Sequence, residues 1–463
     1  MSDSFPQLVR AEWTKFRSVR RWVIGIVGAA AVSVLLSSLF AKSGSTNANE
    51  SPAFIDASRF VHQQLTGDGD IVARVASQEH SHDWAKAGLM IKERAEAGAP
   101  YASLLVTPTN GVRMQANFST DIGGSGRTAP LWLKLTRSGT TVIGSESTDG
   151  TAWTEVGRVT LAGLPSTVEA GLFVNSPGTF FVERQFGSTT TGDRPTLGKA
   201  TFDNVRLTGG GTPAGTWRSD NIGPDPFVGG RTGSTESGGT FTLTGAGDMI
   251  RLQQGDDDIV YNALSGITLG LIVMAVVAVL FITSEYKRGM IRTTFIASPR
   301  RGRVLVAKSV VIGTVTFVAG LVASIGAFQL AHSIQRTRGF TPPAYPYVSL
   351  ADGPVLRAVV GTALLLGLLA VFSLALGAIF RRSASAITLV ILLMVIPQIV
   401  VTALPLSIAL WIGRVTPIAG LAIQQTRVRW DTATTPWTGL GVFAAYTVAA
   451  LAVAIWQVRR RDA

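Results

Sequence analysis

The chain has 463 residues, with 41 Lys and Arg against 29 Asp and Glu, a net charge of +12 and a mean hydropathy of +0.33. Only 15% of residues are charged, whereas a soluble domain carries about a quarter, so the composition argues against an ordinary cytosolic enzyme. The absence of Cys excludes disulfide scaffolds, thiolate zinc sites and Cys nucleophiles. Charge is also unevenly spread: residues 43–258 hold 17 basic and 23 acidic side chains, and the remainder holds 24 and 6. Positive charge beside apolar runs is the pattern of membrane edges, not of nucleic-acid binding.

Residues 1–21 come first. At 100° per residue, Phe5, Leu8, Val9, Trp13, Phe16 and Val19 share one arc, with Arg10, Arg17 and Arg21 opposite. This is the pattern of an amphipathic helix lying in a membrane interface. Glu12 falls inside the apolar arc, where it is expected either to tilt toward water or pair with a neighbouring Arg, or to meet a partner subunit. Residues 22–40 are apolar and long enough for a first membrane-spanning helix. A cleaved signal peptide is the rival reading, but the basic region before this span is long and no small-residue cleavage site follows, so an uncleaved span is expected.

Residues 43–258 read as an outer domain. From 61 to 207, strand-like runs such as Ile71–Ser77, Tyr101–Thr107, Leu131–Arg137 and Val168–Asn175 alternate with turn signals including Asn110-Gly111 and Asp149-Gly150. About nine strands are expected, folded as an all-β sandwich or jelly roll, with Trp84, Trp132 and Trp153 in its core or at its rim. His80-Ser81-His82-Asp83 offers metal-ligand residue types but no third ligand at a useful spacing. Twelve Gly fall between Gly209 and Gly247, so composition makes 209–258 a linker; Thr240–Thr244 and Met249–Leu252 are nonetheless expected to pair as a short hairpin. Asp256, Asp257 and Asp258 read as a solvated acidic flank.

Five further spans follow within 259–463: Ile259–Thr283, Val304–Ala331, Arg357–Phe380, Ala384–Leu410 and Trp437–Trp456. The fifth span of the chain contains Pro397 and Pro405, so a kink is expected there. Basic residues concentrate before the first span, in the loop 284–308, at Arg381 and Arg382, and after the last span. The positive-inside rule therefore places both termini in the cytoplasm and residues 43–258 outside. No Asp or Glu lies inside the spans as drawn, which argues against an ion-coupled transporter or pump. No phosphate-binding G-x-x-x-x-G-K-[ST] loop occurs, so an energy source would have to be a separate nucleotide-binding chain. In the loop 284–308, basic charge alone does not account for Glu285 or for the apolar Met290, Ile291, Phe295 and Ile296. A short helix there, after a break at Gly289, would present an apolar face to a partner's groove.

The stretches LVRAEWTKFRSVRRW (8–22), TSEYKRGMIRTTFIASPRRGRVLVAK (283–308), GAIFRRSASAIT (377–388) and RVTPIAGLAIQQT (414–426) resemble the permease subunit of type-2 ABC exporters, in the form common in high-GC Gram-positive bacteria. That resemblance implies a bacterial cell-membrane protein of six transmembrane helices that pairs with an ATP-binding-cassette ATPase subunit and a second permease copy. ATP and magnesium would sit in the partner, with no cofactor in this chain. Carried onto this sequence, Leu8–Arg21, with Glu12, Trp13, Phe16 and Arg17, is the elbow helix. Glu285, Gly289, Met290, Ile291, Arg292, Phe295 and Ile296 form the coupling region, and 415–435 would include short re-entrant helices. LTGDGDIVARV, WAKAGLMIKE, STDGTAWTEVG and ATFDNVRL make residues 65–207 similar to concanavalin/laminin-G-like jelly rolls, which implies an extracellular glycan as a further partner. The functional expectation is outward movement of an amphipathic or lipidic compound; the alternative is a membrane-anchored glycan-binding or sensing protein.

Overall fold

The structure, a computed structural model, describes residues 4–43, 54–185, 188–209, 215–227, 230–251, 258–287, 289–291, 300–338, 340, 345 and 347–460. The chain divides into two compact units: residues 1–51, 184–189 and 254–463, and residues 52–183 and 190–253.

The first unit is helical. Helix α1 (Phe5–Ser18) is followed, after a break at Val19, by α2 (Arg20–Ser43). Next come α3 (Ile259–Leu264), α4 (Gly266–Lys287), α5 (Arg301–Thr337), α6 (Gly353–Phe380), α7 (Ser383–Met394), α8 (Ile396–Ala403), α9 (Leu406–Val415), a 3₁₀ segment (Pro417–Gln424) and α10 (Pro436–Arg460). Among the described residues, six stretches are long and apolar enough to cross a membrane: Arg20–Ala41, Ile259–Lys287, Arg301–Thr337, Gly353–Phe380, Ser383–Ala403 and Pro436–Arg460. Hydropathy along the sequence places the third at Val304–Ala331. The actual helix is 37 residues long, more than a ~30 Å hydrocarbon core requires at 1.5 Å per residue. The fifth breaks at Val395 and again at Leu404–Pro405, beside the two prolines, as expected.

With lipid-like side chains on every face, hydrophobicity alone does not choose which helices touch; small residues do, because they let backbones approach. Helices α2 and α4 meet where Ser33 and Ser37 face Gly270 and Gly266, and a Cβ on either glycine would overlap the facing serine. Two apolar clusters result. One joins Phe16, Trp22, Phe281, Leu305 and Leu374 near the basic helix ends. The other joins Leu271, Phe328, Leu366, Phe372 and Phe443 along the bundle.

The second unit is a β-sandwich. One seven-stranded antiparallel sheet has the order β10 (Thr154–Thr160), β9 (Thr141–Ser147), β8 (Leu131–Ser138), β3 (Gly69–Gln78), β14 (Gly198–Gly209), β17 (Thr240–Gly245), β16 (Gly233–Ser237). The other has the order β15 (Arg218–Ile222), β2 (Ser58–Thr66), β11 (Thr167–Asn175), β4 (Lys86–Lys92), β5 (Tyr101–Thr107), β6 (Gly111–Ala116), β7 (Thr120–Gly123). Alternate residues of both, among them Leu65, Ile71, Leu89, Leu104, Leu133, Leu172 and Phe202, form one core between the sheets.

One feature differs from the sequence reading. The Gly-rich stretch after 209 is not simply a linker: Thr240–Gly245 pairs with β14 and β16 inside the sandwich, and β18 (Met249–Arg251) pairs with β1 (Phe54–Asp56) instead of with Thr240–Thr244. Alternation within TFTLT carries the strand despite its glycine-rich surroundings. Of the two places expected for Trp84, Trp132 and Trp153, core or rim, all three lie outside the core cluster. Trp84 is exposed, Trp132 packs under Gly150, and Trp153 lies beneath the Lys134 ammonium at 4.5 Å. Aliphatic side chains and Phe202 fill the space between the sheets.

Candidate functional site

Three segments far apart in sequence bring four charged side chains together in the helical unit. Lys308, in the first turns of α5, is fully buried, and its Nζ lies 2.5 Å from Glu12 Oε2 on α1 and 2.5 Å from Glu285 Oε1 near the end of α4. Lys15, one turn beyond Glu12, places its Nζ 2.8 Å from Glu12 Oε1 and 3.9 Å from Glu285 Oε1. Two carboxylates thus meet two ammoniums, and the cluster is neutral as a whole. Glu285 Oε2 is buried without a hydrogen-bond partner. The Phe281 ring lies 5.2 Å from Lys308 Nζ and is met edge-on by Phe16 and Trp22. An isolated charge in such surroundings is strongly disfavoured, and only close pairing makes its burial tolerable.

The cluster explains Glu12. It neither tilts to water nor pairs with an Arg; it turns inward and holds Lys308 and Lys15 of its own chain. Its place on the apolar arc is therefore the correct place for a buried partner. The sequence also left Lys308 at the edge of a span as one more basic residue. The available signal was its flanks, VLVA before it and SVVIG after it, where a lysine needs an acceptor.

The other expected site residues divide. Trp13 is exposed and stacked on the buried Phe16, and Arg17 is exposed. Gly289 has a left-handed backbone (φ +69°) and its N–H donates to the Tyr286 carbonyl, which ends α4. Beyond it, Met290 and Ile291 do not share one outward face. Ile291 is buried in the cluster with Phe16 and Trp22, while Met290 is 43% exposed. Arg292, Phe295 and Ile296 lie outside the described residues. Tyr286 sits under the Arg381 guanidinium at 5.3 Å.

At the opposite helix ends, α9 and the 3₁₀ segment form a pair bent by 95°, and the 3₁₀ residues from Pro417 to Gln424 are mostly buried. Asp258 holds this bend in place. Its Oδ1 accepts from the N–H groups of Val260 and Tyr261, capping α3, and from Thr426 Oγ1. Its Oδ2 accepts from the N–H groups of Thr426 and Arg427. The expected solvated flank is thus a buried clamp at this residue; Asp256 and Asp257 lie outside the described residues. Between α4, α6 and α7 lies an apolar pocket of about 20 Å³, lined by Leu271, Ala275, Leu369, Val390 and Met394 with Gln398 at one side, room for about one water.

In the β unit, a cleft of about 580 Å³ is lined by Trp84, Tyr101 and Phe118 together with Gln115, Asp121 and the buried Lys86–Asp248 pair. Gln115 Oε1 is buried there without a hydrogen-bond partner. Burial, reinforced by Asp56, pushes the Tyr101 hydroxyl's pKa up, so it remains a hydrogen-bond donor. Elsewhere on the same sheet, His62 is held between Glu169 (Nδ1 to Oε2, 2.6 Å) and Asp220 (Nε2 to Oδ2, 2.9 Å). Burial pulls the His62 pKa down, but the bonds and charges of the two carboxylates outweigh it and raise it overall. His80 pairs with Asp83, and His82 Nδ1 accepts from the Trp84 N–H. Among the described residues no group of three or more His, Asp or Glu converges as metal ligands would.

No family model and no curated protein matches this chain. Among solved structures, it is similar to a functionally unknown protein from Saccharomyces cerevisiae at 17% identity and a TM-score of 0.25, over 34% of this chain and 76% of that one. It is also similar to scytalido-glutamic peptidase bound to a transition-state analogue inhibitor, at 12% identity and a TM-score of 0.26, over 41% of this chain and 98% of that one. SCP-B of the eqolisin peptidase family, in a complex with a tripeptide, matches at 12% identity and a TM-score of 0.25 over the same shares. Likenesses this distant carry nothing about fold or chemistry to this chain.

Proposed function

We propose that this chain is the membrane subunit of an ATP-driven exporter, moving an amphipathic or lipidic compound outward while a separate ATP-binding subunit supplies the energy. The Glu12–Lys308–Glu285 cluster carries the reading. It ties the interfacial helix α1, the end of α4 and the start of α5 into one body, and Glu285 stands a short way along the chain before the exposed Met290. A push on the segment after α4 would then move three helices together, as a subunit driven from outside the membrane plane requires. The α9–3₁₀ bend clamped by Asp258, at the opposite helix ends, suits a gate at the exit. Alternating access by a pair of such chains completes the mechanism, with the termini and the Met290 segment in the cytoplasm and the β unit outside.

The test is to purify the full chain from its native membrane, identify what accompanies it and assay ATP hydrolysis. A stoichiometric ATP-binding-cassette subunit whose hydrolysis depends on this chain is the expected result. Met290→Asp should weaken that association while leaving the chain folded, because Met290 lies at the surface. Absence of any nucleotide-hydrolysing partner would sink the proposal.

The aromatic cleft of the β unit favours a second reading, a membrane-anchored glycan-binding protein. Aromatic faces with a few buried polar groups are a common way to hold a small polar ligand. Binding of a polysaccharide to the full chain, lost in Trp84→Ala, with no ATPase partner, would favour this reading over the first.

A further inference from the structure

We propose that a basic pocket between the start of α5 and the end of α10 binds a phosphate group carried by an anionic phospholipid. The pocket, about 360 Å³, is lined by Arg300, Arg301, Gly302, Arg303 and Arg459. Four arginines from the start of α5 and the end of α10 thus line one cavity, and among the described residues its lining contains no acidic residue. Gly302 permits the approach, since a Cβ there would stand 3.2 Å from Arg459 Nε and 3.2 Å from Ile455 Cγ2.

The contrast with the neighbouring Lys308 cluster is the core of the argument. There each ammonium has a carboxylate within bonding distance. Here, among the described residues, Arg300, Arg303 and Arg459 have no carboxylate within 4 Å. Helix α5 adds to the imbalance: its first turn holds no acidic residue, and Arg300 makes no side-chain cap. The positive end of the helix dipole therefore reinforces the four cations. A ligand with several anionic oxygens removes this repulsion, and guanidinium groups bind phosphate through paired N–H bonds.

The surroundings favour a lipid over a free ion. On α10, Val453 and Trp456 are exposed, and the Arg460 guanidinium lies 4.6 Å from the Trp456 ring. An exposed apolar strip beside a cationic pocket suits an acyl chain below a headgroup, and Trp is enriched at that depth. Basic pockets between membrane helices bind anionic headgroups in this way. The inference rests on the membrane placement of the helical unit but not on transport.

Native mass spectrometry of the full chain released from detergent, with phosphatidylglycerol or phosphatidylcholine added, tests it directly. Phosphatidylglycerol should be retained about tenfold more tightly. The variant Arg300→Gln/Arg303→Gln/Arg459→Gln should erase that preference, and the matching Arg→Lys variant should keep part of it. Equal retention of the two lipids, or an unchanged preference in the Gln variant, overturns the proposal. Inorganic phosphate provides a second arm. If millimolar phosphate displaces phosphatidylglycerol and stabilises the chain as much as the lipid does, the ligand is a soluble phosphate and the lipid assignment fails. If the Gln variant instead loses an ATP-binding partner with lipid retention intact, the pocket is a protein contact and the proposal also fails. Absence of an ATPase partner would leave the lipid result unaffected, so this inference and the transport reading fail separately.

Discussion

Both units bury lysines, and they do so by different means. In the β unit, Lys92 reaches Asp56 at 2.7 Å with both side chains fully enclosed, and the same carboxylate accepts the Gly98 N–H. That pair fastens β1 to the sandwich: one cation meets one anion. In the helical unit, Lys308 is shared between Glu12 and Glu285, and Lys15 restores neutrality from a half-exposed position. A one-to-one pair has a single arrangement and acts as a fastener. A four-member cluster with two carboxylates, two ammoniums and one half-exposed member can exchange partners without leaving a bare charge; a spare buried oxygen does not separate the two, since Glu285 Oε2 and Asp56 Oδ1 are both without a hydrogen-bond partner.

The largest expected effects break this comparison open. Lys308→Ala leaves two buried carboxylates with only the half-exposed Lys15 to balance them, and removing one partner from a buried ion pair costs about 3–5 kcal/mol. Thermal unfolding of the full chain in detergent should show this as a large fall in midpoint. Adding Glu12→Gln and Glu285→Gln to that variant should recover much of the loss, whereas the Gln pair alone should not match wild type. Lys92→Met should fall toward the lower end of the same range, because Asp56 keeps its bond from Gly98. If Lys92→Met proves the costlier of the two, the cluster is not the more demanding arrangement.

Next in size is the α2–α4 contact. Gly270→Val drives a side chain into Ser33, and overpacking of this kind costs about 1–3 kcal/mol. Gly28→Val on α2 is the control, since nothing stands within 4 Å of a Cβ at that position. Equal losses from the two would show that glycine content, not close approach, sets the packing. Asp258→Ala should cost about 1–2 kcal/mol through the lost cap alone. It should also make the chain around Thr426 more susceptible to proteolysis, with Asp258→Asn intermediate.

Much of this was legible from residue order, for stated reasons. Apolar runs of membrane-spanning length, the breaks at Pro397 and Pro405, and strand alternation in stretches such as β3 and β8 are local patterns, so the six apolar helices and the sandwich could be anticipated. The charge cluster was only half visible. Glu12 and Glu285 stood out because each violates its surroundings, but their shared partner depends on how α1, α4 and α5 pack, and no local pattern encodes that. Asp258 misled for the same reason. Three consecutive aspartates look solvated, and only the fold brings the Thr426 and Arg427 N–H groups to one of them. In the Gly-rich stretch the strands β17 and β18 were visible as local runs, but their partners β14, β16 and β1 were not, because pairing is set by the fold. Met290 and Ile291 looked equivalent until the turn at Gly289 sent one inward and one outward.

The smallest effect sharpens the comparison from the β unit's side, because there a buried cation can be switched off. His62 joins β2 to Glu169 on β11 and to Asp220 on β15, with Arg59 and Arg218 the cations nearby. Its pKa is raised in the folded chain, against about 6.5 in the unfolded one. A raised folded value means that the stabilisation is fully present below the unfolded pKa and is lost as pH rises through the folded one. Amide protection factors of β15, measured by hydrogen exchange on the full chain, should therefore fall across that rise, after correction for intrinsic rates. His62→Gln should flatten the dependence and set protection near the high-pH level of wild type. If protection of β15 instead rose with pH, the two carboxylates would be holding β15 without the imidazolium, and His62 would be a packed ring with no electrostatic part.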